Sequence, residues 1–188
     1  MTKIKIKKKF VLLNFFILLF IGCENLKKTP IQGAVVSARE EASKIGVEIL
    51  KKGGNAFDAM VATSFALTVV FPNAGNITGG GFMVYRTSKG DFGSLDYREM
   101  APLNSSEDMY LDNNGEAIKD LSRTGGLAVG VPGSVAGILE VHKKMGSLPL
   151  SDLIRPSIEL AKRGFMVTEK QARSLNSKRD EFIKVNGV

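Results

Sequence analysis

Residue types that often carry chemistry or stabilise a fold are scarce in this sequence of 188 residues. It contains one cysteine, Cys23, one histidine, His142, and no tryptophan. A single cysteine excludes an internal disulfide, and one histidine without a further cysteine in the body of the chain excludes a histidine-based metal site. A serine–histidine pair has only one candidate base. His142 adjoins two lysines on a predicted helix, so we expect it at the surface or at the boundary of the core.

Long apolar runs and a strong charge of one sign are also lacking in most of the chain. The longest apolar run, residues 10–21, is interrupted only by Asn14, and it is too short for a membrane-spanning helix, which needs about 20 residues. The formal net charge is +7, but residues 1–28 hold seven lysines and one acid, Glu24. The remaining residues carry 19 basic and 18 acidic side chains. A nearly neutral body gives no reason to expect a nucleic-acid partner.

The start of the chain is typical of an export signal. Lysines precede the apolar run, which suits the hydrophobic region of a signal peptide, and Cys23 follows it after Gly22. A lone cysteine at this place resembles the lipobox of bacterial lipoproteins, in which the signal is cut before the cysteine and the thiol is lipidated. We therefore expect a signal peptide over residues 1–22, a lipidated Cys23 with a tether over residues 23–33, and an exported, membrane-anchored protein of a bacterial cell envelope. An ordinary cleaved signal or an uncleaved anchor, with an incidental cysteine, is the alternative.

Two predicted helices, separated by a Gly-Gly pair, open the body of the chain. Ser37 and Glu40 have the spacing of a capping box, which predicts the start of the first helix. The apolar residues of this helix recur at helical spacing and form one face, namely Ala38, Ala42, Ile45 and Ile49. Asn55 is placed to cap the second helix, residues 56–70. This second helix is apolar on nearly every side, so we expect it to be buried.

The rest of the body predicts a small sheet followed by more helices. Residues 82–87 and 92–97 have strand character and are separated by a short loop with a glycine, which indicates a hairpin. Residues 127–131 predict a further short strand. Helices are predicted from Ser134 to about Lys144, from Ser151 to before Gly164 with Ile154, Ile158, Leu160 and Ala161 inside, and from Thr168, at the start of a capping-box spacing, into the C-terminus. This order of elements predicts an α+β fold in which helices cover a sheet.

Two features are candidates for a ligand site, the glycine-rich stretch of residues 75–81 and Arg98. The stretch is not a P-loop, since no lysine and hydroxyl follow its last glycine, and it lacks the dinucleotide-binding fingerprint. It predicts either a sharp turn from helix to strand or one wall of a substrate pocket. Arg98 stands at the end of a predicted strand, where it can bind a carboxylate through two parallel hydrogen bonds. A structural ion pair with Asp96 or Glu99 is the alternative.

Four dispersed motifs occur in the body of the chain in a characteristic order. They are GGNAFDA (53–59), AGN with TGGGFM (74–83), DYREMAP (96–102) and GVPGSVAG (130–137). In order and spacing, from Ala34 to the last residue, the chain resembles the start of the large subunit of bacterial γ-glutamyltranspeptidase, a glutathione hydrolase of the N-terminal-nucleophile class. The resemblance predicts that residues 34–188 are the N-terminal portion of that subunit.

The resemblance implies a fold, a reaction and a site residue. The fold is a four-layer αββα sandwich made by a precursor that cleaves itself into a large and a small subunit, so this chain is expected to form an incomplete part of it. The N-terminal threonine of the small subunit attacks the γ-glutamyl amide of a substrate such as glutathione, and the acyl group passes to water or to an amine. Arg98 matches the arginine that binds the α-carboxylate of the γ-glutamyl group. No cofactor and no metal are expected.

The resemblance also places the catalytic threonine outside this chain. The family's nucleophile lies in a Thr-His segment downstream of the position of Val188, and none of the eight threonines here precedes a histidine. We therefore expect the chain to carry a substrate-binding Arg98 and no catalytic residue. It is interpreted as a truncated product, a pseudogene fragment or a half that needs a second polypeptide. A non-catalytic surface lipoprotein that binds amino acids or peptides is the competing hypothesis.

Overall fold

The described part of the chain combines helices with one β-hairpin. The computed structural model describes residues 33–75 and 77–187. In chain order the elements are α1 (Glu40–Lys51), α2 (Ala56–Val70), β1 (Phe82–Arg86), β2 (Phe92–Asp96), a 3-10 turn (Gly126–Ala128), α3 (Ser134–Met145), α4 (Leu150–Arg163), α5 (Glu169–Asn176) and α6 (Arg179–Asn186). The predicted signal peptide, Cys23 and all of the predicted tether except Gly33 lie outside the described residues.

Helix α2 is the centre of the core and has the predicted bounds. It contacts α1, α3 and α4, and no residue of α2 after Ala56 is exposed, which confirms that this helix is buried. Burial of apolar area is favourable by about 25 cal/mol per Å², so a helix that is apolar on every side gains from each neighbour. The fully buried apolar side chains include Ile49 of α1, Val61, Ala62, Ala66 and Val70 of α2, Val141 of α3 and Leu153 of α4.

The first two helices differ in how they are capped. At α2 the Asn55 side chain accepts hydrogen bonds from two first-turn amides at 2.8 and 3.0 Å, which confirms the predicted cap. At α1 the predicted capping box of Ser37 and Glu40 is wrong, because the N-cap residue is the extended Arg39 and no side chain caps it. Ser37 lies two residues before that position, and its hydroxyl donates to the Arg39 carbonyl oxygen at 2.8 Å.

The hairpin has one face on the core and one face uncovered by the described residues. β1 and β2 pair antiparallel, with Phe82 opposite Asp96, as predicted. Side chains alternate across a strand, so Met83 and Leu95 pack against the core while their neighbours face outwards. The large apolar residues of the outer face are Phe82, Val84 and Phe92, which are 64%, 84% and 82% exposed.

The predicted strand over residues 127–131 is wrong. Gly126–Ala128 is a 3-10 turn, and Val131 makes one isolated bridge with Met100. A strand needs a partner along its length, whereas β2 has already ended at Asp96, so this stretch pairs at a single position. The apolar side chains that suggested a strand, Leu127, Val129 and Val131, are exposed.

The predicted inner face of α4 is partly wrong, because a serine interrupts the apolar pattern. The structure buries Leu153, Ser157 and Leu160, which follow one another at steps of four and three and so form one face. Of the residues predicted inside, Ile158 and Ala161 are exposed. The apolar residues alone therefore predicted a buried face that is rotated about the axis of α4 from the observed one.

The predicted C-terminal helix is divided into α5 and α6, with a break at residues 177–178. Thr168 caps α5 by accepting a hydrogen bond from the Gln171 amide at 3.2 Å. The Gln171 side chain does not complete the capping box. Its oxygen accepts from Nη1 of Arg39 at 2.7 Å and its nitrogen donates to the Val70 carbonyl oxygen at 3.1 Å. It thereby connects α5 to the start of α1 and the end of α2.

Candidate substrate-binding site

Arg98 lies just beyond the end of β2, on the outer side of the extended chain. Asp96 and Arg98 are exposed and Tyr97 between them is half-buried. The Arg98 amide donates to Oδ1 of Asp96 at 2.9 Å, and Nε of Arg98 lies 3.5 Å from Oε2 of Glu99, with the arginine side chain 62% exposed. Among the described residues, neither terminal amino group of the guanidinium has a hydrogen-bond partner. The predicted ion pair with Glu99 is thus present, and it leaves both terminal nitrogens for a carboxylate.

The glycine-rich stretch lies against Arg98 and also makes a turn. The carbonyl oxygen of Gly79 accepts hydrogen bonds from the amides of Gly133 and Ser134, both at 2.9 Å, at the start of α3. A side chain on Gly80 would overlap with Glu99 and would lie 2.8 Å from the carbonyl carbon of Arg98. The stretch lies between α2 and β1, as the predicted turn from helix to strand requires, and its role as a wall of a substrate pocket stays a prediction.

Tyr97 occupies a socket made by three glycines from two motifs. Its amide donates to the Gly81 carbonyl oxygen at 3.0 Å, and its own carbonyl accepts from the Gly81 amide at 3.3 Å. A side chain on Gly133 would overlap with the Tyr97 carbonyl oxygen, and one on Gly137 would overlap with the Tyr97 ring. Burial raises the pKa of the Tyr97 phenol. The TGGGFM, DYREMAP and GVPGSVAG motifs therefore meet at this tyrosine.

The GGNAFDA motif builds a separate polar cluster around the buried carboxylate of Asp58. This carboxylate accepts from the Asn55 amide at 2.9 Å, from the Ser147 amide at 2.9 Å and hydroxyl, and from the Leu148 amide at 3.3 Å. Burial raises the pKa of Asp58, but the hydrogen bonds, led by that of the Ser147 hydroxyl, outweigh it and hold the pKa below its ordinary value. The cluster ties the start of α2 to the turn after α3.

His142 is half-buried at the edge of the core, as predicted. Its Nε2 lies 2.8 Å from the carbonyl oxygen of Leu148, so the ring helps to close the turn between α3 and α4. In residues 33–75 and 77–187, no group of three or more His, Cys, Asp or Glu side chains is placed to hold a metal ion.

Two cavities differ in their relation to Arg98. A small one of about 160 Å³ lies behind the glycine-rich stretch, with Gly80 and Tyr97 in its wall. A larger groove of about 660 Å³ is lined by the start of α1 and by α5, including Arg39 and Gln171. Arg98 lines neither cavity, but the small one is lined by Tyr97, the residue before it.

Sequence reasoning missed the contribution of Tyr97. The spacing of Gly133 and Gly137 could have indicated such a contact, because residues four apart lie on one face of a helix. Two glycines on one face allow a close approach of another segment. Which segment approaches was not visible in the motif itself, since it is brought there by the hairpin.

Comparison with known proteins agrees with the convergence of these motifs. Residues 42–187 match the family model described as gamma-glutamyltranspeptidase. A glutathione hydrolase proenzyme of Pseudomonas aeruginosa is 53% identical over 140 residues, which cover 74% of this chain and 25% of the relative. The Escherichia coli proenzyme is 43% identical over 152 residues, covering 81% and 26%. The crystal structure of Helicobacter pylori γ-glutamyltranspeptidase matches with a TM-score of 0.79 and 47% identity, covering 81% of this chain and 44% of that one.

The chain belongs to the γ-glutamyltranspeptidase family, as its four motifs predict. Its mixed helix and sheet architecture, with these structural neighbours, confirms the predicted fold class, a part of an αββα N-terminal-nucleophile hydrolase sandwich. The chain spans about a quarter of the length of the curated relatives it matches, 25% and 26% for the two given above.

Proposed function

We propose that this chain forms the carboxylate-binding wall of an enzyme that hydrolyses or transfers the γ-glutamyl group of glutathione and related compounds. The observation that carries the proposal is Arg98, which is exposed beside the glycine-rich stretch with both terminal nitrogens available. The α-carboxylate of a γ-glutamyl substrate requires a fixed cation, and a planar guanidinium orients it through two parallel hydrogen bonds. The names of the relatives, glutathione hydrolases, support this substrate class.

The nucleophile in this proposal belongs to a small subunit. Acyl transfer through a covalent intermediate needs a nucleophile activated by a base, and in the family that the motifs resemble it is an N-terminal threonine released by self-cleavage. None of the eight threonines of this chain precedes a histidine. We propose that a small subunit, supplied by a longer precursor or by a second polypeptide, completes the site.

The proposal is tested in a completed enzyme, defined as residues 34–187 of this chain in place of the matching segment of the Helicobacter pylori precursor. We expect it to hydrolyse a chromogenic γ-glutamyl anilide. Arg98→Lys should raise KM about 10- to 100-fold, because a charge-assisted contact contributes about 1.5–3 kcal/mol. Arg86→Lys is the matched control, since Arg86 is another exposed arginine of the hairpin, and it should keep the KM of the unsubstituted enzyme.

The outcomes separate the hypotheses. An unchanged KM in both Arg98→Lys and Arg98→Ala would remove Arg98 from the substrate site. Residues 24–188 alone should show no turnover above a blank. Turnover that is lost on replacing one of the seven threonines of that portion would instead locate a nucleophile within the chain. An inactive completed enzyme, combined with amino-acid binding by residues 24–188, would favour the non-catalytic lipoprotein.

We further propose that the protein is exported and anchored through a lipidated Cys23. The support is the sequence, in which the only cysteine follows the apolar run. In the part of the chain that the structure describes, no helix is long and apolar enough to cross a membrane. Acyl chains contribute about 0.8 kcal/mol per buried methylene, so several chains give stable anchoring.

The anchor is tested by metabolic labelling with a fatty acid. The unsubstituted protein should be labelled, should partition into detergent and should begin at Cys23 after processing, whereas Cys23→Ser should remain unlabelled. Equal labelling of both proteins, or a mature N-terminus at another residue, would contradict the anchor.

A further inference from the structure

Tyr97 and Arg98 are on opposite sides of an extended segment. Successive side chains of such a segment alternate, and the exposure of Asp96 and Arg98 with the burial of Tyr97 between them follows this rule. The direction of Arg98 is therefore coupled to the direction of Tyr97. Without the ring, the segment would be held by its backbone hydrogen bonds alone, to Gly81 on one side and to Val131 on the other, so the guanidinium would be placed less closely.

The socket holds the ring closely and from two elements. A side chain on Gly81 would lie 2.8 Å from Cε2 of the Tyr97 ring, and one on Gly137 would lie 2.7 Å from its Cδ1. The backbone of Tyr97 is fixed by its two hydrogen bonds to Gly81. Among the described residues, the Tyr97 hydroxyl has no hydrogen-bond partner. The shape of the ring, and not its hydroxyl, therefore determines how it fits.

The contacts of Arg98 itself are weak constraints by comparison. Its side chain is 62% exposed and its one ion pair, with Glu99, has a separation of 3.5 Å. This separation is longer than that of a charge-assisted hydrogen bond, so the pair constrains the guanidinium only loosely. The segment that carries the arginine is consequently oriented by the residue before it.

We infer that Tyr97 is a positioning residue for the γ-glutamyl carboxylate, because its ring, packed against Gly81 and Gly137, and its carbonyl group, packed against Gly133, orient Arg98. This inference rests on the proposed function of Arg98. Tyr97 contacts no substrate in this scheme and acts only through Arg98. Its loss should therefore weaken substrate binding with little effect on the chemical step.

The test is a double-mutant cycle in the completed enzyme, read as KM and kcat for the γ-glutamyl anilide. Tyr97→Leu should raise KM about tenfold and change kcat less than about threefold, the pattern of lost ground-state binding. Tyr97→Phe, which keeps the ring, should restore the KM of the unsubstituted enzyme. In an Arg98→Ala background, Tyr97→Leu should raise KM no further, since residues that act as a unit are not additive.

Tyr85→Leu is the matched control. Tyr85 is also a half-buried tyrosine on the inner side of the hairpin, and its ring packs on Phe57 at 5.7 Å, away from the socket. The Tyr85→Leu variant should lose as much stability as Tyr97→Leu, but its KM should be unchanged. This comparison separates positioning of the arginine from a general weakening of the fold.

Each outcome decides one claim. An unchanged KM in Tyr97→Leu, or an equal rise in the presence and absence of Arg98, would overturn the inference while leaving Arg98 in place. An unchanged KM in Arg98→Ala would overturn the proposed function. If Tyr97→Leu does not mature, Tyr97→Met is read by the same criteria. Failure of both to mature, with normal maturation of Tyr85→Leu, would show that Tyr97 serves stability alone and would overturn the inference.

Discussion

At the scale of single residues, the family motifs use charge in two opposite ways. Asp58 is fully buried, and burial of a carboxylate is costly unless hydrogen bonds compensate. Donors from Asn55, Ser147 and Leu148 supply this compensation, so Asp58 holds elements together. Arg98 stays in water, and its two terminal nitrogens have no partner in the part of the chain that the structure describes. The water bound to the guanidinium of Arg98 can therefore be replaced by the carboxylate of a ligand.

The buried carboxylate predicts an acid-sensitive contribution to stability. Asp58→Asn should lower the free energy of unfolding at pH 7 by about 2–3 kcal/mol, because it weakens hydrogen bonds to a charged group. The pKa of Asp58 is lowered on folding, so its stabilisation is fully present above the unfolded-state value of about 3.9 and is lost as the pH falls through the folded-state pKa. Urea unfolding of the completed enzyme between neutral and acidic pH measures this contribution.

The control for this series is Asp180→Asn, whose carboxylate is 99% exposed. It should change stability by less than about 0.5 kcal/mol at any pH, as surface substitutions usually do. A difference between the unsubstituted protein and Asp58→Asn that stays constant into the acid range would show that the carboxylate does not contribute through its charge.

At the scale of elements, local patterns succeed where the element's own residues determine its structure. Helix α2 has its predicted bounds because its cap, Asn55, and its apolar pattern are both local. The prediction of a strand at residues 127–131 was wrong because a strand depends on a partner, and no segment of residues 33–75 or 77–187 runs alongside it beyond the bridge with Met100. The prediction of the buried face of α4 was partly wrong because the burial of Ser157 depends on the packing of α4 against α2. The polarity of the serine side chain does not decide it.

Helix α3 contains a glycine that its close contact with Tyr97 requires. Gly137→Ala would favour the helix by about 1 kcal/mol from propensity alone. The added methyl group would overlap with the Tyr97 ring, and overpacking of this kind costs about 1–3 kcal/mol. We therefore expect a net destabilisation of up to about 2 kcal/mol, measured by thermal or urea unfolding.

Gly126→Ala is the control for this substitution. Gly126 has no heavy atom within 4 Å of an added Cβ and is not among the glycines with positive φ. It should leave stability within about 0.5 kcal/mol of the unsubstituted protein. Stabilisation by Gly137→Ala would mean that the helix and the tyrosine segment are further apart than the structure places them.

At the scale of the whole molecule, the outer face of the hairpin has no cover from the described residues. A two-stranded hairpin is marginal by itself, and open apolar sheet surfaces promote association. The outer face of Phe82, Val84 and Phe92 lies on the same side of the chain as Asp96 and Arg98. We propose that the remainder of the sandwich covers this face, so the substrate site and the subunit interface would be adjacent.

This arrangement predicts self-association of residues 24–188 when they are expressed alone. The portion includes the compact unit Gly33–Val188, and size-exclusion chromatography with light scattering should show oligomers or aggregates. Phe92→Lys should reduce association because it places a charge on the uncovered face. Lys89→Glu is a control with a charge change in the hairpin turn, outside that face. A monodisperse monomer with a sharp cooperative melt would indicate that the chain needs no cover.

The sequence by itself determined the family, the helices α1 to α5 in outline, the hairpin and the residue that we propose to bind the substrate. Each of these depends on motif order, on caps or on periodicity, which are properties of neighbouring residues. Only the tertiary structure decided that Tyr97 fills a socket of glycines, that residues 127–131 do not form a strand and that Gln171 connects α5 to α1 and α2. These features arise from contacts between segments distant in sequence, and the free energy of such contacts depends on a packing that no local pattern contains.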